Sequence, residues 1–349
     1  MSTTRFTLSG KSYCCKDIFR SDIDNKLSAG WMCLGRADEI PNAGDFFTLQ
    51  LFDEPLLIVR GQDEKIRVLA NSCRHRASPV AEGSGNSKRF VCPYHAWSYS
   101  LDGALRSAPR MPKKLTKDLC LPEYRSEIWR GFLYVNISGT AAPLAPGLQA
   151  LDERLAPYET ETFQTFHVGE KVWHANWRAL VENFVEAYHL SVVHSQTLHG
   201  YTPTRLARKF AGSAAFTGYC ANYAEDAADR GHGAPNLSAE ERRRSTLFSV
   251  FPCHLVSQAA SLIASFCLIP EAPGRTRVRW SLSSYGDDLS EELKAVRIEL
   301  WRQVNEEDRA RMEATQRGIA SKFAGAGPLA DDDFEGTIAD FHCYLAAEP

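Results

Sequence analysis

The chain has 349 residues, of which 44% are hydrophobic and 24% charged, and a formal net charge of −3. It is ordinary globular material, long enough for about two domains, with no bulk positive charge to hold nucleic acid or anionic lipid, so a small-molecule ligand is expected. No apolar run approaches the roughly 20 residues that cross a bilayer, and MSTTRFTLSGKSYCCK lacks the apolar middle of a secretory signal, which predicts a cytoplasmic protein without membrane contact.

Thiols in that compartment stay reduced, so the ten cysteines are not expected to form disulfides. Cys14, Cys15, Cys33, Cys120, Cys220, Cys253, Cys267 and Cys343 read as small hydrophobes; only Cys73 and Cys92 have metal-binding neighbours. From Trp31 to about Ile137 short strands alternate with turns: EPLLIVR and KIRVLAN flank GQDE as a hairpin, and GFLYVNI closes a small all-β domain, 31–138. SGTAAPLAPG, 138–147, carries no periodic pattern and reads as a linker. A second domain is predicted from 148–349 together with 1–30.

In that second domain Trp177, Leu180, Val181, Phe184, Val185 and Tyr188 form one apolar helical stripe, beside a polar row of Glu182, Glu186 and His189 at i, i+4 and i+7. The polar, glycine-bearing segment 222–245 reads as a mobile surface loop and a candidate lid. SQAASLIASFCLIP and TRVRWSLSSYG read as the two arms of a long antiparallel hairpin. Asp288 with Glu291 suggests the start of a long helix that turns Leu293, Val296, Leu300, Val304 and Met312 inward and stops near Gly318. Helices on an antiparallel sheet make the fold class α+β.

Between Cys73 and His95, CRHRASPVAEGSGNSKRFVCPYH places Cys73 with His75 and Cys92 with His95 on two separate loops. Zinc knuckles usually pair their cysteines within one loop, whereas here each loop donates one sulfur and one imidazole. Two matched mixed loops suit a two-iron cluster with thiolates on one iron and imidazoles on the other. Zinc, or unligated side chains, are the alternatives.

A second constellation lies in NWRALVENFVEAYHLSVVH. Five residues of α-helix turn through about 140°, so His189 and His194 can meet one metal only if the helix ends or bulges between them. Asp308 falls in line with the apolar ladder of the long helix, where an unpaired carboxylate would be costly. Its neighbours Glu306 and Glu307 suggest a solvated acidic run, but with His189 and His194 it completes two histidines and a carboxylate, a set that leaves an iron open positions for dioxygen and substrate.

NSCRHRASPVAEG and FVCPYHAWSYSLDGAL resemble the cluster loops of Rieske proteins, and ENFVEAYHLSVVH and NEEDRARMEATQRGIAS resemble the two iron-binding segments of the Rieske non-haem iron oxygenases. The resemblance runs from Trp31 to about Tyr344 and implies a Rieske domain followed by a helix-grip domain of the START and Bet v 1 type. It implies a [2Fe–2S] cluster on Cys73, His75, Cys92 and His95, a mononuclear Fe(II) on His189, His194 and Asp308, and O2 as co-substrate. By the same resemblance Glu186 bridges His95 of one subunit to His189 of the next in a homotrimer; without its flanking motif it reads as a solvated helix glutamate. Asn183 is a candidate hydrogen-bonding group near the iron, with a plain place on the helix surface as the alternative. In ring-dihydroxylating members the bridge is aspartate; glutamate stands here, as in the choline and carnitine monooxygenase branch. The expected function is therefore a terminal oxygenase supplied by a separate ferredoxin or flavin reductase, since no nicotinamide or flavin motif is present. Its expected chemistry is monooxygenation, hydroxylation or oxidative demethylation, of a small organic substrate such as a quaternary amine. Arene cis-dihydroxylation and a purely electron-transferring Rieske protein are the alternatives. Arg205 and Arg208 are candidates to meet a substrate carboxylate, and His167, His174, His199, His232, His254 and His342 read as structural or surface residues.

Overall fold

The computed structural model describes residues 5–227, 231–286 and 289–347. Two seven-stranded antiparallel sheets dominate it. The N-terminal sheet runs in the order Met32–Arg36, Phe132–Asn136, Glu123–Trp129, Ile66–Ala70, Glu54–Arg60, Asp45–Leu51, Ser84–Asn86, and carries a three-stranded sheet, 90–107, on the loops that hold Cys73 and Cys92. The C-terminal sheet runs Gln164–Trp173, Arg275–Ser284, Leu262–Ala272, His254–Gln258, Arg244–Val250, Phe216–Asn222, Ala207–Lys209. The expected α+β class, with an all-β part followed by helices on an antiparallel sheet, is what the chain adopts.

Alternation along its strands gives the C-terminal sheet two buried faces. Leu255, Phe266, Leu268 and Val278 point to one side and pack against Trp177, Leu180, Trp301 and Val304 of the helices Trp177–Val185 and Glu291–Ile319. Phe248, Val256 and Cys267 point to the other side, onto Trp31, Phe132 and Tyr134 of the N-terminal sheet and Leu148, Leu151 and Leu155 after the linker. The linker itself is docked: Leu144 is buried and the Trp31 indole donates to the Ala142 carbonyl at 2.9 Å. Residues before Trp31 pack on the helical side, where buried Asp22 accepts from Arg178 Nε at 2.9 Å and from the Trp177 indole at 3.2 Å.

Several local expectations change. The first arm of the expected hairpin is two strands, because Ala259 to Ser261 turn the chain, with Ala259 N–H donating to the Leu262 carbonyl at 2.9 Å. Asp288 lies outside the described residues, and the long helix is capped by Ser290, whose hydroxyl accepts from Leu293 N–H at 3.3 Å. Leu293 and Val296 are exposed rather than inward, while Trp301, Val304 and Asn305 are buried, so the inward face begins only at the third turn. In the segment 222–245, residues 228–230 lie outside the described set. Its Ala234 and Leu237 are buried on the Phe248 side of the sheet, and Arg243 ties it to the carbonyls of Ala224 and Ala227. This packing is on the face away from the helices, so the lid reading does not hold for the described part.

A polar seam joins the sheets. His254 is fully buried, with Nδ1 2.6 Å from the Tyr134 hydroxyl and Nε2 2.9 Å from Ser265 Oγ. Cys33 and Cys267 lie beside it, with one donor atom of each residue within 4.8 Å of the others. Both imidazole nitrogens already have partners, and burial pushes the Cys33 thiol well up, which suits an unreactive structural contact better than a metal site. Burial, with the Arg36 charge adding to it, pushes His254 down to about 3. The unfolded chain, with an ordinary histidine near 6.5, therefore takes up a proton that the folded chain refuses, and stability is lost as pH falls below 6.5. We expect this one group to tilt stability by about 1.4 kcal/mol per pH unit below that point. His254→Asn should flatten the decline in unfolding midpoint between neutral and mildly acid buffer; equal slopes in variant and wild type would contradict the assignment.

Candidate metal centres

The two Cys–His loops have the same backbone. Cys73 N–H donates to the Ser78 carbonyl at 2.9 Å and Cys92 N–H to the Trp97 carbonyl at 2.8 Å; Ala77 and Ala96 N–H return to the carbonyls of Cys73 and Cys92 at 2.9 and 3.0 Å. Ala77 and Ala96 sit at φ 59° and 58°, left-handed positions that cost a residue with a Cβ about 1 kcal/mol or more each and are tolerated where geometry is over-determined. Both cysteines are buried and the His95 ring is exposed, with the Nδ1 atoms of His75 and His95 3.2 Å apart. Trp97 stacks on His75 at 4.9 Å between centroids. The Tyr99 hydroxyl accepts from Arg74 N–H at 3.0 Å and lies 3.3 Å from Cys73 Sγ, so its hydrogen is available to the sulfur. Burial opposes the Cys92 thiolate, but the Tyr94 N–H, the Cys73 side chain, the His95 N–H and the Ser78 hydroxyl together outweigh it and leave the pKa lowered. Two buried sulfurs and two outward imidazoles on matched loops can hold a two-iron cluster.

The second group forms where the 177–185 helix stops. Glu186 is its C-cap, in extended conformation (φ −103°, ψ 150°), so Glu182, Glu186 and His189 do not share one continuous helix. Instead Glu182 accepts from Tyr13 at 2.8 Å and pairs with His342 at 2.9 Å. His189 and His194 cap the two ends of the single turn Leu190–Val193, so the break falls before His189, at Glu186, and not between the two histidines as their spacing had demanded; the rings lie 5.2 Å apart. Across from them, on the same helical face as Trp301, Val304 and Asn305, is Asp308. Its Oδ1 is 3.2 Å from His194 Nε2 and 3.7 Å from His189 Nε2, yet it is buried with no hydrogen-bond partner among the described residues. Three donors on one ion at about 2.1 Å and near right angles would be about 3 Å apart, so these atoms fit a shared metal.

Electrostatics points the same way. His189 Nδ1 faces Glu186, which also accepts from the backbone N–H of Tyr188 and His189, and His194 Nδ1 lies 2.7 Å from Glu307. Burial works against protonated His189, but the Glu186 charge more than offsets it and pushes the pKa up to about 9. Burial likewise opposes the Asp308 carboxylate, but the imidazoles of His194 and His189 outweigh it and hold it below the usual range. Three carboxylates thus gather on two imidazoles in a largely buried place, and either protons or a cation must balance them.

The ring hydroxylating alpha subunit (catalytic domain) family model matches residues 154–348, and the Rieske [2Fe-2S] domain model matches residues 30–125. The chain belongs to the ring-hydroxylating alpha-subunit family. It is 26% identical to the carnitine monooxygenase oxygenase subunit of Escherichia coli (strain K12) over 98% of this chain and 93% of that one. It is 28% identical to the 2-aminobenzenesulfonate 2,3-dioxygenase subunit alpha of Alcaligenes sp over 83% and 77%. The solved structure of a quaternary ammonium Rieske monooxygenase has the same fold, with a TM-score of 0.85 at 21% identity over 98% of this chain and 94% of that one.

This ring-hydroxylating alpha subunit is therefore a Rieske non-haem iron oxygenase, with a [2Fe–2S] cluster and a mononuclear iron as its cofactors, and as such takes its electrons from a separate reductase to act on a small molecule. No helix among the described residues is long and apolar enough to cross a membrane. The sequence-nominated residues fall into two places: Cys73, His75, Cys92 and His95 on the paired loops, and Asn183, Glu186, His189, His194 and Asp308 at the helix break. Arg205 and Arg208 join neither. Sequence reasoning missed Tyr99, and it missed Glu307, which read as one of a solvated acidic run but also accepts from Thr197 Oγ1 at 2.7 Å. No signal in the string separates Glu307 from Glu306; only the fold turns one inward. It missed the apolar cavity too, which lies beside the three donors and is walled by Phe184, Tyr219, Phe266 and Trp301 among others. Partners on a ligand's other ring nitrogen typically change metal affinity by about 10–100-fold. Glu307→Ala should weaken ferrous binding by that order while the cluster's visible absorption stays; unchanged iron retention on dialysis against a chelator would show that the contact does not orient His194.

Proposed function

We propose that the chain is the terminal monooxygenase component of a two-part system, with Cys73, His75, Cys92 and His95 holding the cluster and His189, His194 and Asp308 holding the iron. Residues 31–138 form the cluster domain, and 1–30 with 148–349 the catalytic domain. The observation that carries this reading is the buried, unpartnered Asp308 Oδ1 facing the Nε2 atoms of His194 and His189. When bound, the cluster supplies electrons one at a time and the ferrous ion activates dioxygen. Glu186 and Glu307 accept the Nδ1 protons of His189 and His194, which directs both Nε2 atoms toward Asp308. Asn183 lines the same cavity as Asp308 and is the nominated hydrogen-bonding group near the iron. The apolar walls hold substrate and exclude water, which limits unproductive reduction of oxygen.

Overall, one oxygen atom enters a substrate C–H bond and the other leaves as water, consuming two electrons and two protons. On an N-methyl group the hydroxylated carbon then leaves as formaldehyde. The names of the carnitine monooxygenase relatives support a quaternary amine as substrate, and the cavity's aromatic faces can hold such a head by cation–π attraction. The active assembly is a homotrimer acting in the cytoplasm, in which Glu186 of one subunit meets His95 of its neighbour. The exposed His95 ring, and the position of Glu186 on a second hollow with Glu182 and Glu335, support that arrangement.

Asp308→Ala should take the purified protein from three irons per chain to two, leave the cluster spectrum intact and reduce product formation by about 100-fold or more. Three irons retained in the variant would remove the assignment. Isotope-labelled dioxygen should place one oxygen atom in the hydroxylated product; two atoms in a diol would mark arene dihydroxylation instead.

A further inference from the structure

The helix break at Glu186, which sets where His189 stands, is held from outside by the helix Asp332–Ala346. That helix runs antiparallel to the segment 182–188 and grips it along its length. His342 Nε2 lies 2.9 Å from Glu182 Oε1, Thr337 Oγ1 donates to the Val185 carbonyl at 2.6 Å, and the Phe334 carbonyl accepts from Ala187 N–H at 3.0 Å. Beyond them the Phe334 ring stacks on Tyr188, with 6.3 Å between centroids. The gripping helix is itself firmly mounted. Asp333 accepts from Lys209 N–H at 3.0 Å, and Asp340 accepts from Lys209 Nζ at 3.1 Å and from the Thr217 hydroxyl at 2.7 Å. Lys209 and Thr217 belong to the last two strands of the C-terminal sheet, Ala207–Lys209 and Phe216–Asn222.

The two middle contacts fall on either side of Glu186. A helix that stops leaves the carbonyls of its last turn without partners inside the helix. Val185 ends the 177–185 helix, and its carbonyl is taken by Thr337; the Ala187 N–H, just past the break, is taken by Phe334. Val185, Ala187 and Thr337 are all buried, so water cannot stand in for a bond that is lost. A threonine hydroxyl inside a helix commonly turns back onto its own preceding turn. That of Thr337 crosses to a different helix instead and caps it. With the peptides before and after it clamped, Glu186 keeps its extended backbone, φ −103° and ψ 150°, and its carboxylate meets Tyr188 N–H, His189 N–H and His189 Nδ1. The direction of the His189 ring thus traces back, through Glu186, to Thr337.

We propose that Thr337 is a positioning residue for the oxygenation reaction: by capping Val185 from another helix it holds the backbone at Glu186, and through Glu186 the aim of the His189 imidazole. Thr337 acts at a distance, through the backbone it caps, and this role rests on the reading of His189, His194 and Asp308 as the iron site. Site geometry must be kept to about 0.5 Å by the residues behind it, and a misplacement of about 1 Å can cost on the order of 100-fold in rate. One hydroxyl behind the break is therefore enough to govern how well the iron is held.

Thr337→Val keeps the shape of the side chain and removes its donor. In that variant ferrous iron should pass to a chelator about tenfold faster than in wild type. The backbone amides of Ala187, Tyr188 and His189 should exchange with deuterium about tenfold faster as well. Thr337→Ser, which keeps the hydroxyl, should restore both rates. Phe341→Leu, a core change in the same helix, should lower the unfolding midpoint and leave both rates as in wild type. If Thr337→Val does not fold, Thr337→Ala removes the same donor with a good helix former and carries the same expectations. Wild-type iron release in the valine variant overturns the positioning role, and so does equal acceleration in Phe341→Leu, which would mark a general loosening. A wild-type protein that never holds a third iron would sink the metal-site reading by itself; unchanged amide exchange in Thr337→Val would overturn the role of Thr337 even then.

Discussion

Everything in the catalytic half depends on one electrostatic constraint: three carboxylates and two imidazoles are forced together in a place with little water. Burial alone would neutralise Asp308 and deprotonate His189, yet the mutual attraction of the group shifts both the other way. Such a cluster is expensive unless a cation sits in it. The local fold is arranged around that need. The 177–185 helix stops at Glu186, whose extended backbone lets its carboxylate reach back to His189, and the next helix is a single turn that leaves His189 and His194 at its two ends.

The C-terminal sheet serves as a partition. One face supplies the apolar wall of the cavity, and the other closes against the N-terminal sheet through Phe132, Tyr134 and the buried His254. Because both faces are covered, the strands contribute large side chains on both sides, and the space near the metal site is defined by rigid elements rather than loops. The paired loops of Cys73 and Cys92 follow a different logic. There the backbone is held in a repeated tight form, with Ala77 and Ala96 strained identically, so that two sulfurs are buried while His95 faces outward.

What could be read from the string was the chemistry that is local in sequence. Cys73 with His75, Cys92 with His95, and His189 with His194 announce themselves because each pair lies within one short segment, and Asp308 because a carboxylate interrupts an apolar ladder. The rest is non-local. Glu307 is chemically identical to its neighbour Glu306, and only the rotation of a long helix against His194 distinguishes them. Tyr219 and Trp301 meet at one cavity from elements some eighty residues apart, a juxtaposition that no periodicity encodes. The inward reading of Leu293 and Val296 failed because the first turns of the helix leave both side chains exposed and burial begins only at Trp301. The segment 222–245 looked like a lid because its composition is polar, but its few apolar residues, Ala234 and Leu237, decide where it packs.

The central claim is that His189, His194 and Asp308 converge on a single iron distinct from the cluster. Mössbauer spectroscopy of isotopically enriched, reduced protein addresses it directly, because it separates iron by ligand type without requiring a substrate. The account predicts one sulfur-bound iron, one iron of the same cluster with imidazole ligands, and a third, high-spin ferrous iron with only nitrogen and oxygen donors. A spectrum containing the cluster signals alone, in protein that has kept its full metal complement, would contradict it.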